Sequence, residues 1–377
     1  MELILMALGA CFLYVLQRVL YERFWKKGLT ADAAFQGNPA VCGREAYLLE
    51  TVVNAKFLPL SILRVKFRIG RELEFVTGEN SAVSDYTYRN DVFSVFPYQK
   101  ITRKLRFHCR KRGYYEIKSL DLVSHDLFFS GHFIETLSLD SHLYVYPAAA
   151  DCGRLNVPFQ KMMGTCLSRS RLVTDPFELK GIREYQTYDS MRSVNWKATA
   201  RTGALKVNVH ESTASQNIFL FLNMDSDYPW ASEALREEAI SICGSFIDAF
   251  VSAGIPTGFF SNGIDAAAEE PSFVPAGAGA GHVTRCMEAL SRLRYDISLT
   301  PFETLMREGS LEKKAEDCLY IMISSCKRPE LQTAYQEFCR YSPGSLWIAP
   351  LRPEDEAVFS LCPAALTMKW EVPYDKI

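Results

Sequence analysis

Asn217–Met224, NIFLFLNM, is an uninterrupted apolar run, the pattern of a β-strand covered on both faces. The residues after it alternate helix and strand. Ser232–Ala253 places Leu235, Ala239, Ile242, Phe246 and Phe250 on one side of a long helix. Ile255–Phe260 reads as the next strand, 281–294 and 301–313 as helices, and Cys318–Ile323 and Ser345–Ile348 as further buried strands separated by a helix near 329–340. Leu366–Val372 reads as an edge strand. Apolar strands separated by amphipathic helices require a sheet covered on both sides, so 216–377 is expected to be a doubly wound α/β domain. Gly277–Gly281 follows no buried strand and carries no Lys-Ser/Thr, and it reads as a flexible loop rather than a phosphate loop.

Upstream the periodicity changes. Residues 40–150 lack a helical repeat and hold short alternating runs: Leu48–Val53, Ile62–Ile69, Glu72–Val76, Asp91–Phe96, Ile101–Cys109, Tyr114–Leu120 and His142–Tyr146. Seven strands at this spacing predict a small antiparallel sandwich, closed by Pro147. His125, His132 and His142 fit no ligand spacing and read as structural histidines.

The first 27 residues form a third region. Leu3–Leu16 carries no charge, and the apolar stretch extends to Leu20 across Gln17 and Arg18. As a helix those 18 residues span roughly 27 Å, enough for a bilayer core. Tyr21, Phe24 and Trp25 are expected at the membrane interface. Arg18, Arg23, Lys26 and Lys27 follow the run while only Glu2 precedes it, which predicts a single-pass cell-membrane anchor with the bulk of the chain cytoplasmic. A basic start and a small-residue cleavage site, the marks of a cleaved signal peptide, are missing.

The whole chain of 377 residues has a formal net charge of −2, with 48% apolar and 23% charged residues. That balance suits a folded multidomain protein and argues against phosphate-driven nucleic-acid binding. The 11 cysteines form no C-x-x-C pair, so a zinc ribbon or redox dithiol is not expected. No G-x-S-x-G elbow or Cys–His pairing stands out, and the chain is read as a non-enzyme.

Residues 151–215 join the two folded regions, and 183–207 reads REYQTYDSMRSVNWKATARTGALKV. Asp189 is placed to cap a helix over Ser190–Arg201, Gly203 to stop it, and Leu205, Val207 and Val209 to alternate as a strand. Arg183, Glu184, Tyr185, Asp189, Arg192, Trp196, Lys197 and Arg201 form either a solvated, salt-bridged surface or a partner-binding one anchored on Trp196 and Arg192.

This stretch resembles the signature of a bacterial family designated only as domain of unknown function fifty-eight. The matching residues are Arg183-Glu184-Tyr185, Asp189, Arg192, Trp196-Lys197, Ala200-Arg201, Leu205 and Val207, with Tyr188-Asp189 where the family has Gly-Asp. Lys111–Tyr115, Ser124-His125-Asp126 and Val145-Tyr146-Pro147 are also similar. The resemblance implies a membrane-anchored protein with a β-sandwich and then a von Willebrand factor A-like domain. It also implies a membrane-bound scaffold whose partners are a MoxR-type AAA+ ATPase and a transglutaminase-like protein. A domain of that type holds Mg²⁺ through a D-x-S-x-S loop, a distant threonine and a distant aspartate. Here the loop reads Asn223-Met224-Asp225-Ser226-Asp227, Thr300 stands for the threonine, and Ser324-Ser325 stands where the aspartate belongs. Asp225, Asp227 and Thr300 either hold a hydrated Mg²⁺ or Ca²⁺ in a degenerate adhesion site, or the two aspartates cap the helix that follows and no cofactor binds.

Overall fold

The computed structural model describes residues 2–77, 81–129, 131–172, 179–186, 191, 194–210, 217–227, 233–307, 318–341, 345–355, 359 and 367–373. The chain is a mixed α+β protein that divides into two compact units, Met1–Ala148 and Ala149–Ile377.

The first unit begins with helix α1 (Glu2–Phe24), long and apolar enough to cross a membrane and exposed along its apolar window. Its last turn is different. Tyr21 is 1% exposed and Trp25, just beyond the helix, 4%, and both belong to the core of the β region. These two aromatics therefore do not stand free at an interface. The Tyr21 hydroxyl donates to the Pro59 carbonyl (2.7 Å), and Trp25 stacks on Phe133 at 5.9 Å between centroids.

Two sheets face each other across that core. One contains β1 (Leu29–Gln36), β3 (Glu45–Asn54), β8 (Lys100–Cys109) and β5 (Leu73–Phe75), in the order β1-β3-β8-β5. The other is ordered β2-β10-β9-β4-β7-β6, from β2 (Ala40–Val41), β10 (His132–Tyr146), β9 (Gly113–His125), β4 (Leu60–Gly70), β7 (Tyr86–Val95) and β6 (Ser81–Val83). Every pairing is antiparallel except the short β10–β2 contact. Each of the seven strand segments read from the sequence overlaps a strand, with Glu72, Val76 and Phe96 just outside β5 and β7. Strand β1 enlarges the sandwich toward the helix: its sequence, LTADAAFQ, buries Leu29, Ala31 and Ala33, which are too small to give a strong alternating signal.

The second unit opens with α2 (Cys152–Leu172), which buries Leu155, Met162 and Cys166. Pro158, in its second turn, has no N–H to give the Arg154 carbonyl, so the helix runs through an interior proline. Strand β11 (Leu179–Glu184) pairs antiparallel with β12 (Lys206–His210), and α3 (Trp196–Thr202) lies between them in sequence. The main sheet runs β15-β14-β13-β17-β18-β19. Its strands are β13 (Asn217–Leu222), β14 (Thr257–Asp265), β15 (Pro271–Gly277), β17 (Cys318–Ile323), β18 (Leu346–Leu351) and β19 (Thr367–Glu371). The two-residue β16 (Leu293–Arg294) pairs with β14. The five strands from β14 to β19 along that order are mutually parallel, and β15 is an antiparallel edge.

Alternate side chains of β13 go to opposite faces. Ile218, Leu220 and Leu222 pack with α2, α4 (Glu233–Ser252) and α5 (Ala280–Arg292). Phe219 and Phe221 pack with α6 (Phe302–Arg307) and α7 (Pro329–Tyr341). NIFLFLNM is thus a strand covered on both sides. The glycine run 277–281 is not a flexible loop: Gly277 ends β15, Gly279 adopts φ 89° as the cap of α5, and a Cβ at Gly277 would fall 2.6 Å from the His282 ring.

Candidate functional site

The carboxyl ends of β13 and β17 are adjacent, and the chain leaves them on opposite sides, the place where open α/β sheets form a crevice. Asn223 follows β13 and is buried, and its Nδ2 donates to Ser324 Oγ beyond β17 (3.0 Å). Its Oδ1 accepts from the Asp225 N–H (2.8 Å), which turns the backbone so that the Asp225 carboxylate points inward. Asn262, buried on β14, accepts from the Met224 N–H (2.8 Å) and donates Nδ2 to Asp225 Oδ1 (2.8 Å) and to the Thr300 carbonyl (3.1 Å). The Phe302 N–H at the start of α6 donates to Asp225 Oδ2 (3.0 Å).

The remaining partner of Asp225 is a cation already present in the chain. Arg328 Nη2 lies 2.8 Å from Asp225 Oδ2 and 3.7 Å from Glu303 Oε2, with the side chains of Asp225 and Glu303 9% and 12% exposed. Arg328 Nε donates to Cys326 Sγ (3.2 Å). Burial pushes the Cys326 thiol up to about 12, so it stays protonated and lacks the character of a nucleophile. Asp227 accepts the Lys327 N–H on both carboxylate oxygens (3.1 Å each) and faces the Cys326 thiol.

The structure thus brings Asp225 and Thr300 together, through Asn262 and by the threonine's carbonyl, while Asp227 is bound to the Cys326–Lys327 segment and not to either of them. A divalent cation at this place would need several free, anionic oxygens. Instead both Asp225 oxygens are hydrogen-bonded and a guanidinium lies against one of them. Among the described residues, no group of three His, Cys, Asp or Glu is placed to hold a metal. The donor set does not fit the ion that the resemblance implies. Arg328, Asn262 and Glu303 were absent from the sequence reading. Asn262 could have been found as a polar residue before a glycine following the apolar run of β14, but Arg328 stood in a loop with no distinguishing pattern.

The junction residues are only partly described. Asp189 and Arg192 lie outside the described residues. Helix α3 starts at Trp196, later than the expected Ser190, because Val194 forms a β-bridge with Val207 and Asn195 provides the cap, its Oδ1 accepting from the Ala198 N–H (2.9 Å). Gly203 ends it at φ 71°, as read from the sequence. Arg183 and Glu184 sit on β11, where Glu184 pairs with Lys206 (3.0 Å), and the Tyr185 N–H donates to the Leu205 carbonyl. Trp196, Lys197 and Arg201 are exposed, Trp196 at 63%, and α3 buries no residue. The segment presents one large aromatic and two cations on a short helix fixed to a two-stranded ribbon.

Fold and site together define a two-unit α+β protein with an apolar N-terminal helix and a closed polar network at the carboxyl end of a mostly parallel sheet. Residues 181–315 match the model of the family described as "Protein of unknown function DUF58". The match includes the ribbon, α3 and the Asn223–Asp225 loop. No curated protein matches the chain. Among solved structures, a non-cellulosomal cohesin from the archaeon Archaeoglobus fulgidus has 10% identity and a TM-score of 0.21, covering 31% of this chain and 90% of its own. The CARDB domain of a Pyrococcus furiosus protein, in complex with di-metal ions, has 11% identity and a TM-score of 0.20, covering 31% and 96%. The sixth cohesin of scaffoldin B from Acetivibrio cellulolyticus has 10% and 0.22, covering 30% and 98%. Likenesses of this size carry no argument about fold or function.

Proposed function

We propose that this protein is a membrane-anchored, non-enzymatic scaffold whose C-terminal unit is a doubly wound, von Willebrand factor A-like domain without a bound metal. The observation that carries the anchor is the burial of Tyr21 and Trp25. A leader cleaved after Trp25 would take two core aromatics out of the sandwich, which supports reading the helix as a retained part of the protein. The domain assignment is supported by the strand order, in which an antiparallel edge, then β14 and β13, then β17, β18 and β19 reproduce the 3-2-1-4-5-6 arrangement. The scaffold reading is supported by the site: Asn223, Asp225 and Asn262 are hydrogen-bonded within it, its thiol is held protonated, and the Trp196–Lys197–Arg201 face is exposed and suited to a protein partner.

On this reading the partner is an AAA+ ATPase of the MoxR type, reached by the cytoplasmic bulk of the chain, with a transglutaminase-like protein as a further associate. Retention of the ATPase on the full chain from detergent-solubilised membranes tests it. The wild-type chain should retain the ATPase and the Trp196→Ala variant should lose most of it. No retention by wild type would remove the proposed partnership.

A further inference from the structure

The hairpin between β9 and β10 lies beside α1, well below the point where the helix docks. Phe128 at its tip approaches the Tyr14 ring at 6.0 Å between centroids, and Gln17 Nε2 donates to Asp126 Oδ2 (3.2 Å). Tyr14 precedes the docked Tyr21 by seven residues, about 10 Å along a helix axis. The apolar span from Leu3 to Leu20 includes that whole overlap. If the helix crosses a bilayer with this span, the hairpin tip lies at the depth of Tyr14 and cannot remain in water.

The chemistry of the tip agrees. Leu127, Phe128 and Phe129 are consecutive and exposed, Phe128 at 63%, an arrangement unfavourable in water and matched to lipid. Two of the turn's N–H groups are bonded within it: Asp126 Oδ1 accepts the Gly131 N–H, and the Asp126 carbonyl accepts that of Phe129. Two neighbouring loops add aromatics nearer the docking point. Lys56 Nζ donates to the Trp25 carbonyl, the Tyr98 N–H to the Lys56 carbonyl and Asn54 Nδ2 to the Phe96 carbonyl, so 55–59 and 96–99 are held at the end of the sandwich that receives the helix. Phe57, Phe96 and Tyr98 on these loops are exposed, and Arg23 and Lys27 lie at the same end, complementary to anionic headgroups, while Lys26 pairs with Glu135 (3.2 Å).

We propose that the β9–β10 tip, Leu127-Phe128-Phe129, is inserted in the lipid interface beside α1, with Phe57, Phe96 and Tyr98 at headgroup level, so that the sandwich is seated on the bilayer and not suspended above it. The occupant is lipid because the patch is continuous with the apolar helix and flanked by cations. The proposal rests on the anchor reading above.

The test uses the full chain in vesicles of phosphatidylethanolamine and phosphatidylglycerol, with the photo-crosslinker p-benzoylphenylalanine in place of Phe128 or of Val83. Val83 is also exposed but pairs with Thr87, at the far end of β7 from Val95. The expected result is resistance to alkaline carbonate extraction and several-fold more lipid adduct from position 128 than from 83. Carbonate resistance with equal adduct at both positions, or with a protein adduct at 128, overturns the seated hairpin and leaves the anchor standing. Extraction by carbonate overturns the anchor and the hairpin with it.

Discussion

Asp225 and Arg328 show how one substitution pattern changes what a loop does. Asn223 and Ser324 join by a neutral hydrogen bond at the mouth of the sheet, and the carboxylate of Asp225 is neutralised by a side chain of the same chain. Replacing Arg328 with Met removes the cation and leaves Asp225 and Glu303 facing each other. Arg328→Met should lower unfolding stability by about 1–3 kcal/mol, less than for a fully buried pair because the guanidinium is a third exposed. Urea titration measures this. Millimolar Mg²⁺ or Ca²⁺ should raise the melting temperature of the variant and not of the parent, because only the variant has an unmatched carboxylate pair. A second buried charge cluster lies in the sandwich. Asp91 is held by Arg89 Nε and Nη2 (3.0 and 2.8 Å) and by Arg103 Nη1 (3.1 Å). Beside it, burial first and the negative charge of Asp91 second push the Glu50 carboxyl up to about 8, against the two arginines. Unfolded, Glu50 ionises near its ordinary value of 4.5, so between that pH and about 8 the folded state keeps a proton that the unfolded chain has lost. This group's contribution to stability therefore falls as pH rises through the window and levels off above it. Glu50→Gln should flatten that slope and make the variant the more stable form at about pH 9, checked by denaturant titration at about pH 5 and about pH 9.

At the scale of elements, α3 depends on its two ends because it buries no residue. Asn195→Ala should destabilise the ribbon–helix segment by about 1 kcal/mol through loss of the cap, seen as faster amide hydrogen exchange at Ala198 with little change in the two cores. The same helix shows where sequence reading succeeds and where it stops. Gly203 was legible because a left-handed stop has a strong residue preference. The start was not, because Asn195 and Asp189 are equally good caps, and only the tertiary bridge of Val194 to Val207 decides between them. The buried strands β13 and β17 were legible from continuous apolar runs. Helix α2 was missed because Pro158 reads as a breaker, and β1 because its inward residues are mostly alanines. At the site, Asp225 stood in the loop the resemblance pointed to and Thr300 enters only by its backbone carbonyl, which any residue supplies, while Arg328 meets Asp225 across 103 residues of chain, a contact that no local pattern encodes.

For the whole molecule, the cores are separate. The sandwich core draws on residues from Tyr21 to Val145, and the two cores flanking the main sheet on residues from Ala150 onward. Calorimetry should therefore resolve two unfolding transitions, and Trp25→Ala should lower one by an amount typical of aromatic truncation, about 3–5 kcal/mol, while leaving the other in place. The docked end of α1 also fixes the order of assembly. Tyr21 and Trp25 leave the ribosome early, but their partners arrive late: Pro59 comes 38 residues after Tyr21, Asp126 comes 109 after Gln17, and Phe133 completes the stack on Trp25. This segment thus closes onto partners made well after it. Its aromatics must wait through translation of more than a hundred residues, which makes this a slow, high-contact-order fold with an interval in which the unfinished core is open to chaperones.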